Sequence, residues 1–131
     1  MGLVTAGTWT IAAVAGLHLL WHWLSGGGMR RAKVTRFPAT LVFSHPVLAV
    51  SALVCWVGAL VTGSRVLAWV AFGGLAAAAL LGFAMFTRWL GAGRHEKGGP
   101  GFPALAVMLH GLAGVATFVL VFLTASAARV F

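Results

Sequence analysis

The sequence predicts an all-α integral membrane protein, a four-helix transmembrane bundle with both termini outside. Three observations favour this class: 61% of the residues are hydrophobic and 8% are charged, and the mean hydropathy is +1.03. A soluble domain of 131 residues cannot bury so much apolar surface, so a bilayer must solvate it. Backbone polar groups in a bilayer need partners within their own segment, and the apolar runs are too long and unalternating for barrel strands.

We expect a single transmembrane domain over residues 1–131. Its four spans cover about residues 8–24, 38–61, 66–90 and 103–125. At ~1.5 Å per residue, these lengths match a hydrocarbon thickness of ~30 Å. The first run has no basic flank and no evident cleavage pattern, so we interpret it as a retained helix and not as a signal peptide. A translation start at Met29 is the alternative, and it would delete this span.

Basic residues are concentrated beside two of the predicted loops. The chain has nine Lys and Arg residues and one acidic residue, for a net charge of +8. All of the basic residues except Arg65 and Arg129 lie in or next to the loops between spans one and two and between spans three and four. The positive-inside rule places those loops in the cytoplasm. The charge then faces anionic lipid head groups, which explain it better than nucleic acid does.

Composition and tryptophan positions extend this picture. The chain lacks Asp, Asn, Gln and Tyr and is rich in Ala, Gly, Val and Leu, which is typical of a GC-rich bacterium such as an actinobacterium. We therefore expect a multi-pass protein of the bacterial plasma membrane. Trp21, Trp23 and Trp89 flank the predicted cytoplasmic boundary, as interfacial tryptophans do. The lone Cys55 cannot form an internal disulfide and is interpreted as an apolar filler.

Three histidines on three spans lie at one predicted depth. His45 and His110 follow a Phe-Pro pair at the same interval, and His18 precedes the end of span one at a similar interval. Each histidine is therefore ~10 Å below the cytoplasmic boundary. An ionisable residue inside a membrane is a candidate for a functional site. The shared Phe-Pro-to-histidine spacing is either an old duplication of a two-helix unit or a coincidence; we favour coincidence, because spans one and three share little.

This pattern fits the needs of a b-type haem. Such a haem takes two axial imidazoles from facing helices, an apolar slot and cations for its propionates. We favour His45 and His110 as the ligands, with His18 as the substitute. Near the rim, His22, Arg36 and Arg88 would orient or neutralise the propionates. His22 also has an interfacial interpretation, because it lies within the tryptophan-rich end of span one.

Other ligands and local structures remain open. The same three histidines could hold copper or zinc, since imidazole suits both metals, and a histidine donor within apolar walls also suits a quinone. Pro46 follows His45 directly, so span two is either kinked there or begins as a regular helix near Ser44. His95 lies in a polar loop and is expected to be solvated.

The helix number and the paired intramembrane histidines weakly resemble those of small membrane cytochromes, namely cytochrome b561-like bundles and succinate dehydrogenase anchors. This resemblance implies a haem b electron-transfer subunit of a respiratory or redox complex. The b561-like bundles carry a histidine pair near each face, whereas this sequence has only the cytoplasmic-side set and supports one haem at most. His110-Gly111-Leu112 and the Thr/Val-rich run after it also resemble small four-span actinobacterial membrane proteins.

Two further functions compete with this one. The first is a non-catalytic accessory subunit of a larger membrane complex, which the short loops favour; the second is a metal- or quinone-binding membrane protein. Small-residue helix faces favour contact with other membrane subunits or a second copy of the chain. No intramembrane carboxylate is present for proton-coupled transport, and no Gly-rich phosphate loop or nucleophile–base–acid set is evident.

Overall fold

The computed structural model describes residues 2–31, 37–93 and 102–127. These ranges are helical and contain no β-strand. The helices are α1 (Gly2–Ser25), a short α2 (Gly28–Arg31), α3 (Ala39–Thr62), α4 (Arg65–Arg88) and α5 (Ala104–Ser126). A wider helical turn, Trp89–Gly93, continues α4 and contains a kink at Gly91. Within these ranges, four helices are long and apolar enough to cross a membrane, which confirms the all-helical class and the number of candidate spans.

The helix bounds follow the predicted spans closely except at the first. The helix α1 begins at Gly2, whereas the sequence predicted a start near residue 8. Its first turns contain Thr5, Thr8 and Thr10. The structure shows why they are tolerated: the Thr8 hydroxyl donates to the Thr5 carbonyl at 3.0 Å, and the Thr10 hydroxyl donates to the Ala6 carbonyl at 2.8 Å. These hydroxyls are therefore satisfied within the helix.

The helix α3 passes through Pro46 without ending. It begins at Ala39, and the Val42 N–H donates to the Pro38 carbonyl at 3.1 Å. A regular start near Ser44 is therefore not what the structure shows. At its other end, Gly63 adopts a left-handed φ of 70° and its N–H bonds to the Ala59 carbonyl, which is a typical glycine C-cap.

The four long helices form two closely packed antiparallel pairs. In the α3–α4 pair, Gly74 lies so near Ala52 that an added Cβ would be 3.3 Å from the Ala52 Cβ. In the α1–α5 pair, the hydroxyl oxygens of Thr8 and Thr117 lie 2.9 Å apart. The pairs meet mainly through α4 and α5, whereas α1 and α3 approach each other less closely.

Buried side chains form clusters on both sides of the histidine level. One cluster, near the end of α1, consists of Trp23, Phe37, Val42 and Trp89. A second, nearer the start of α1, consists of Trp9, Ala52, Trp56, Ala71, Leu75 and Val121. Trp23 and Trp89 are 1% and 6% exposed. Trp23 and Trp89 therefore pack inside the bundle near the ends of α1 and α4, and of the three tryptophans expected at this boundary Trp21 is the one that is well exposed.

Candidate two-histidine site

His45 and His110 come together between the two helix pairs. Their ring centroids are 5.8 Å apart, and the ring planes meet at 83°. His18 does not join them: it is exposed, and its ring lies 6.1 Å from that of His22. Among the described residues, no three His, Cys, Asp or Glu side chains lie close enough to share a metal ion. Depth predicted three histidines at one site, and the structure brings two of them together.

The His45 side chain is tied to the neighbouring helix α4. Its Nδ1 lies 2.7 Å from the carbonyl oxygen of Ala78. Because a carbonyl can only accept, Nδ1 carries the hydrogen and donates it. One turn further along α4, a Cβ added to Gly82 would lie 2.9 Å from Cε1 of His45. The ring therefore occupies a notch that glycine leaves open.

The His110 side chain makes the same two contacts with α1. Its Nδ1 lies 2.7 Å from the carbonyl oxygen of Ala12. A Cβ added to Gly16, one turn further along α1, would lie 2.9 Å from Cε1 of His110. Among the residues that the structure describes, neither histidine has a hydrogen-bond partner for its Nε2 atom. With the hydrogen on Nδ1, the neutral form of each imidazole has Nε2 as its acceptor nitrogen.

These matching contacts relate the first half of the chain to the second. Helix α1 corresponds to α4, and α3 corresponds to α5. The rings of Phe37 and Phe102, from the two Phe-Pro pairs, also meet, 5.4 Å apart. This correspondence favours a repeated two-helix unit over coincidence. The identical residues at matched positions include Ala12 and Ala78, Gly16 and Gly82, Trp23 and Trp89, Phe37 and Phe102, Pro38 and Pro103, and His45 and His110.

The sequence analysis missed the residues that hold the two rings. Neither Gly82 nor Gly16 was among the predicted site residues. The signal that could have found them is the Ala-x-x-x-Gly spacing shared by 12–16 and 78–82. Small residues at this spacing let helices approach closely. Here they also leave a carbonyl and a notch facing a histidine from the next helix.

The geometry of the pair suits one metal centre. An imidazole that binds a metal through one nitrogen almost always donates its other N–H to a carbonyl or carboxylate, which fixes the ring. With metal–nitrogen bonds of ~2.0–2.1 Å, two ring centroids on opposite sides of a metal lie ~6.4 Å apart. The observed 5.8 Å is somewhat shorter than that distance. The tethered pair makes His45 and His110 the candidate ligands of one metal centre.

The other predicted site residues lie toward the end of α1 and α4. Arg88 ends α4 and is exposed. His22 occupies the matching position in α1 and is half-buried. Arg36 lies outside the described residues.

Comparison with protein-family models, curated proteins and solved structures finds no match. The resemblance to membrane cytochromes therefore stays a prediction.

Proposed function

We propose that this protein is a small membrane electron-transfer subunit that binds one b-type haem between His45 and His110. The observation that carries the proposal is the tethered imidazole pair. Each Nδ1–H donates to a backbone carbonyl at 2.7 Å, and each Nε2 has no partner among the described residues. Bis-imidazole ligation is one of the ways in which proteins bind haem iron and tune its potential.

The arrangement of helices supports a planar ligand between the pairs. His45 is anchored within the α3–α4 pair, and His110 is anchored within the α1–α5 pair. A flat group between the pairs would therefore receive one imidazole from each side. The haem iron would supply one-electron chemistry. The protein would supply ligands and orientation, with His22, Arg88 and Arg36 as cations or donors for the propionates.

The proposal also includes the membrane, the orientation of the chain in it and its partners. In this proposal the bundle spans the bacterial plasma membrane. Exposed apolar side chains such as Leu3 and Leu105, which are 92% and 81% exposed, support insertion into a bilayer. Both termini lie outside and the basic loops lie in the cytoplasm beside anionic lipids. The partners are other subunits of a redox complex or a second copy. A C-terminal epitope tag should be cleaved by protease added to intact spheroplasts; full protection of the tag would contradict this orientation.

Haem titration of the purified apoprotein tests the ligand. In detergent, we expect a Soret band that saturates at one haem per chain, together with bound iron by elemental analysis. The His45→Ala/His110→Ala double variant is the matched control and should not saturate at this stoichiometry. Wild-type protein that shows no Soret band with adequate haem would overturn the proposal.

A metal ion without a porphyrin is the second candidate. The observation that favours it is the ring separation of 5.8 Å, which admits one ion while the two helix pairs stay in place. Copper and iron both accept imidazole nitrogen. Stoichiometric copper or iron without a Soret band, lost in the same double variant, would support this candidate over haem.

A further inference from the structure

The two helix pairs meet along two seams, one between α1 and α3 and one between α4 and α5. These two seams are not equivalent. The face of α1 that looks toward the site carries Trp9, Gly16 and Trp23 at heptad spacing. The matching residues of α4 are Leu75, Gly82 and Trp89. The repeat therefore places a tryptophan on α1 where α4 has a leucine. This difference lies between the two closely related halves and breaks their symmetry.

The partner helices differ at the same level. Trp56 of α3 contacts Trp9, with ring centroids 5.5 Å apart. Its counterpart in α5 is Val121, which lies in the same buried cluster as Leu75. At the other end of the α1–α3 seam, Trp23 contacts Phe43 at 5.7 Å. Large aromatic pairs thus bridge α1 and α3 at both ends of the seam, whereas α4 and α5 pack closely.

Trp56 fills its buried position at an energetic cost that an apolar side chain would avoid. It is 3% exposed, and its indole Nε1–H has no hydrogen-bond partner in the described part of the chain. A buried donor without a partner is unfavourable. Val121 fills the matching position with no such donor. Trp56 and Val121 differ in size, and the larger Trp56 lies at the seam where α1 and α3 make few contacts.

We propose that the α1–α3 seam is the port through which haem reaches His45 and His110 from the bilayer. Gly16 lies midway between Trp9 and Trp23, and the His110 ring rests against it. The imidazole is therefore at the level between the two aromatic bridges. The α4–α5 seam, where the two helices pack closely, stays closed during haem entry. This inference rests on the proposed haem function.

Exchanging the seam residues tests the port. The Trp9→Leu/Trp56→Val variant gives the α1–α3 seam the side chains of the α4–α5 seam. The apoprotein should keep its helical circular dichroism spectrum. Haem uptake in stopped-flow absorbance should be about tenfold slower, because the helices must first separate. The final Soret spectrum should equal that of the wild type, since both ligands remain.

A second variant tests the port if the Trp9→Leu/Trp56→Val variant does not fold. Ala49 lies two turns before Trp56 on the same face of α3, so Ala49→Phe adds bulk within the seam. Val47→Phe is its matched control, because Val47 is 63% exposed on the same helix. We expect Ala49→Phe to slow uptake and Val47→Phe to leave it at the wild-type rate.

The outcomes of these experiments distinguish the proposed port from the proposed haem function. Wild-type haem binding with unchanged uptake rates in both seam variants would overturn the port and leave the haem function standing. A wild-type protein that binds no haem would overturn both. Equal slowing by Ala49→Phe and Val47→Phe would also contradict the port, since added bulk anywhere on α3 would then suffice.

Discussion

The imidazole rings of His45 and His110 meet edge to face inside the bundle with centroids 5.8 Å apart, although the two residues belong to different helix pairs. Each ring is held by a helix other than its own, through a carbonyl at 2.7 Å and a glycine notch. The pair is therefore fixed by four helices together. A ligand bound by both rings would be sensitive to changes in any of the four.

The notches at Gly82 and Gly16 should determine the positions of the two histidine rings. In Gly82→Ala, the new Cβ would lie 2.9 Å from Cε1 of His45, so the ring must shift from the Ala78 carbonyl. We expect a loss of ~1–3 kcal/mol in unfolding free energy from overpacking, together with weaker haem binding. Gly16→Ala should act equally through His110. Reversible unfolding in mixed detergent and haem titration measure the two effects.

Matched glycines on the same helices serve as controls for this prediction. A Cβ added to Gly73 of α4, or to Gly7 of α1, would meet nothing within 4 Å. Alanine there should be neutral or stabilise the helix by up to ~1 kcal/mol. Equal losses in the notch and control variants would show that the histidine contacts do not matter.

The end of α5 should depend on Arg65. The guanidinium donates from Nε to the Ala125 carbonyl and from Nη2 to the Ser126 carbonyl, both at 3.4 Å, and also donates to the Ala127 carbonyl. These bonds satisfy terminal carbonyls and place a cation at the negative helix end. Arg65→Ala should cost about 0.5–1.5 kcal/mol of unfolding free energy. Arg65→Lys should recover part of it, and an unchanged midpoint for Arg65→Ala would contradict this role.

The hydroxyl contact between α1 and α5 should be modest in energy. The Thr8 and Thr117 oxygens lie 2.9 Å apart, and hydrogen bonds between membrane helices contribute ~0.6 kcal/mol on average, with ~1.7 as the largest measured. A double-mutant cycle of Thr8→Val and Thr117→Val should give a coupling energy in this range. Thr10→Val is the control, because the exposed Thr10 hydroxyl bonds within its own helix; coupling of equal size between Thr10 and Thr117 would contradict a specific contact.

Much of the fold could be predicted because hydrophobicity over a helix length is a strong signal. The helices α3, α4 and α5 lie where apolar runs predicted spans. The helix α1 extends to Gly2, earlier than the predicted start of span one near residue 8. The burial of Trp23 was missed because position along a span does not reveal which side of the helix faces the core.

The site could be predicted only in part. Equal spacing from Phe-Pro placed His45 and His110 at one level, and the structure brings their rings together. Depth could not separate His18 from this pair, because it does not specify the direction in which a side chain projects around the helix. The Ala12 and Ala78 carbonyls could not be found from sequence, since every residue has a carbonyl and only packing selects which ones meet a histidine.

The most direct test of the central claim is the electron paramagnetic resonance spectrum of the haem-loaded ferric protein. Two imidazole ligands predict a low-spin signal in the wild type. His45→Ala and His110→Ala should each convert it to a high-spin signal, and His18→Ala should keep it low-spin. A high-spin wild-type signal, or a low-spin signal that survives in His110→Ala and is lost in His18→Ala, would contradict ligation by His45 and His110.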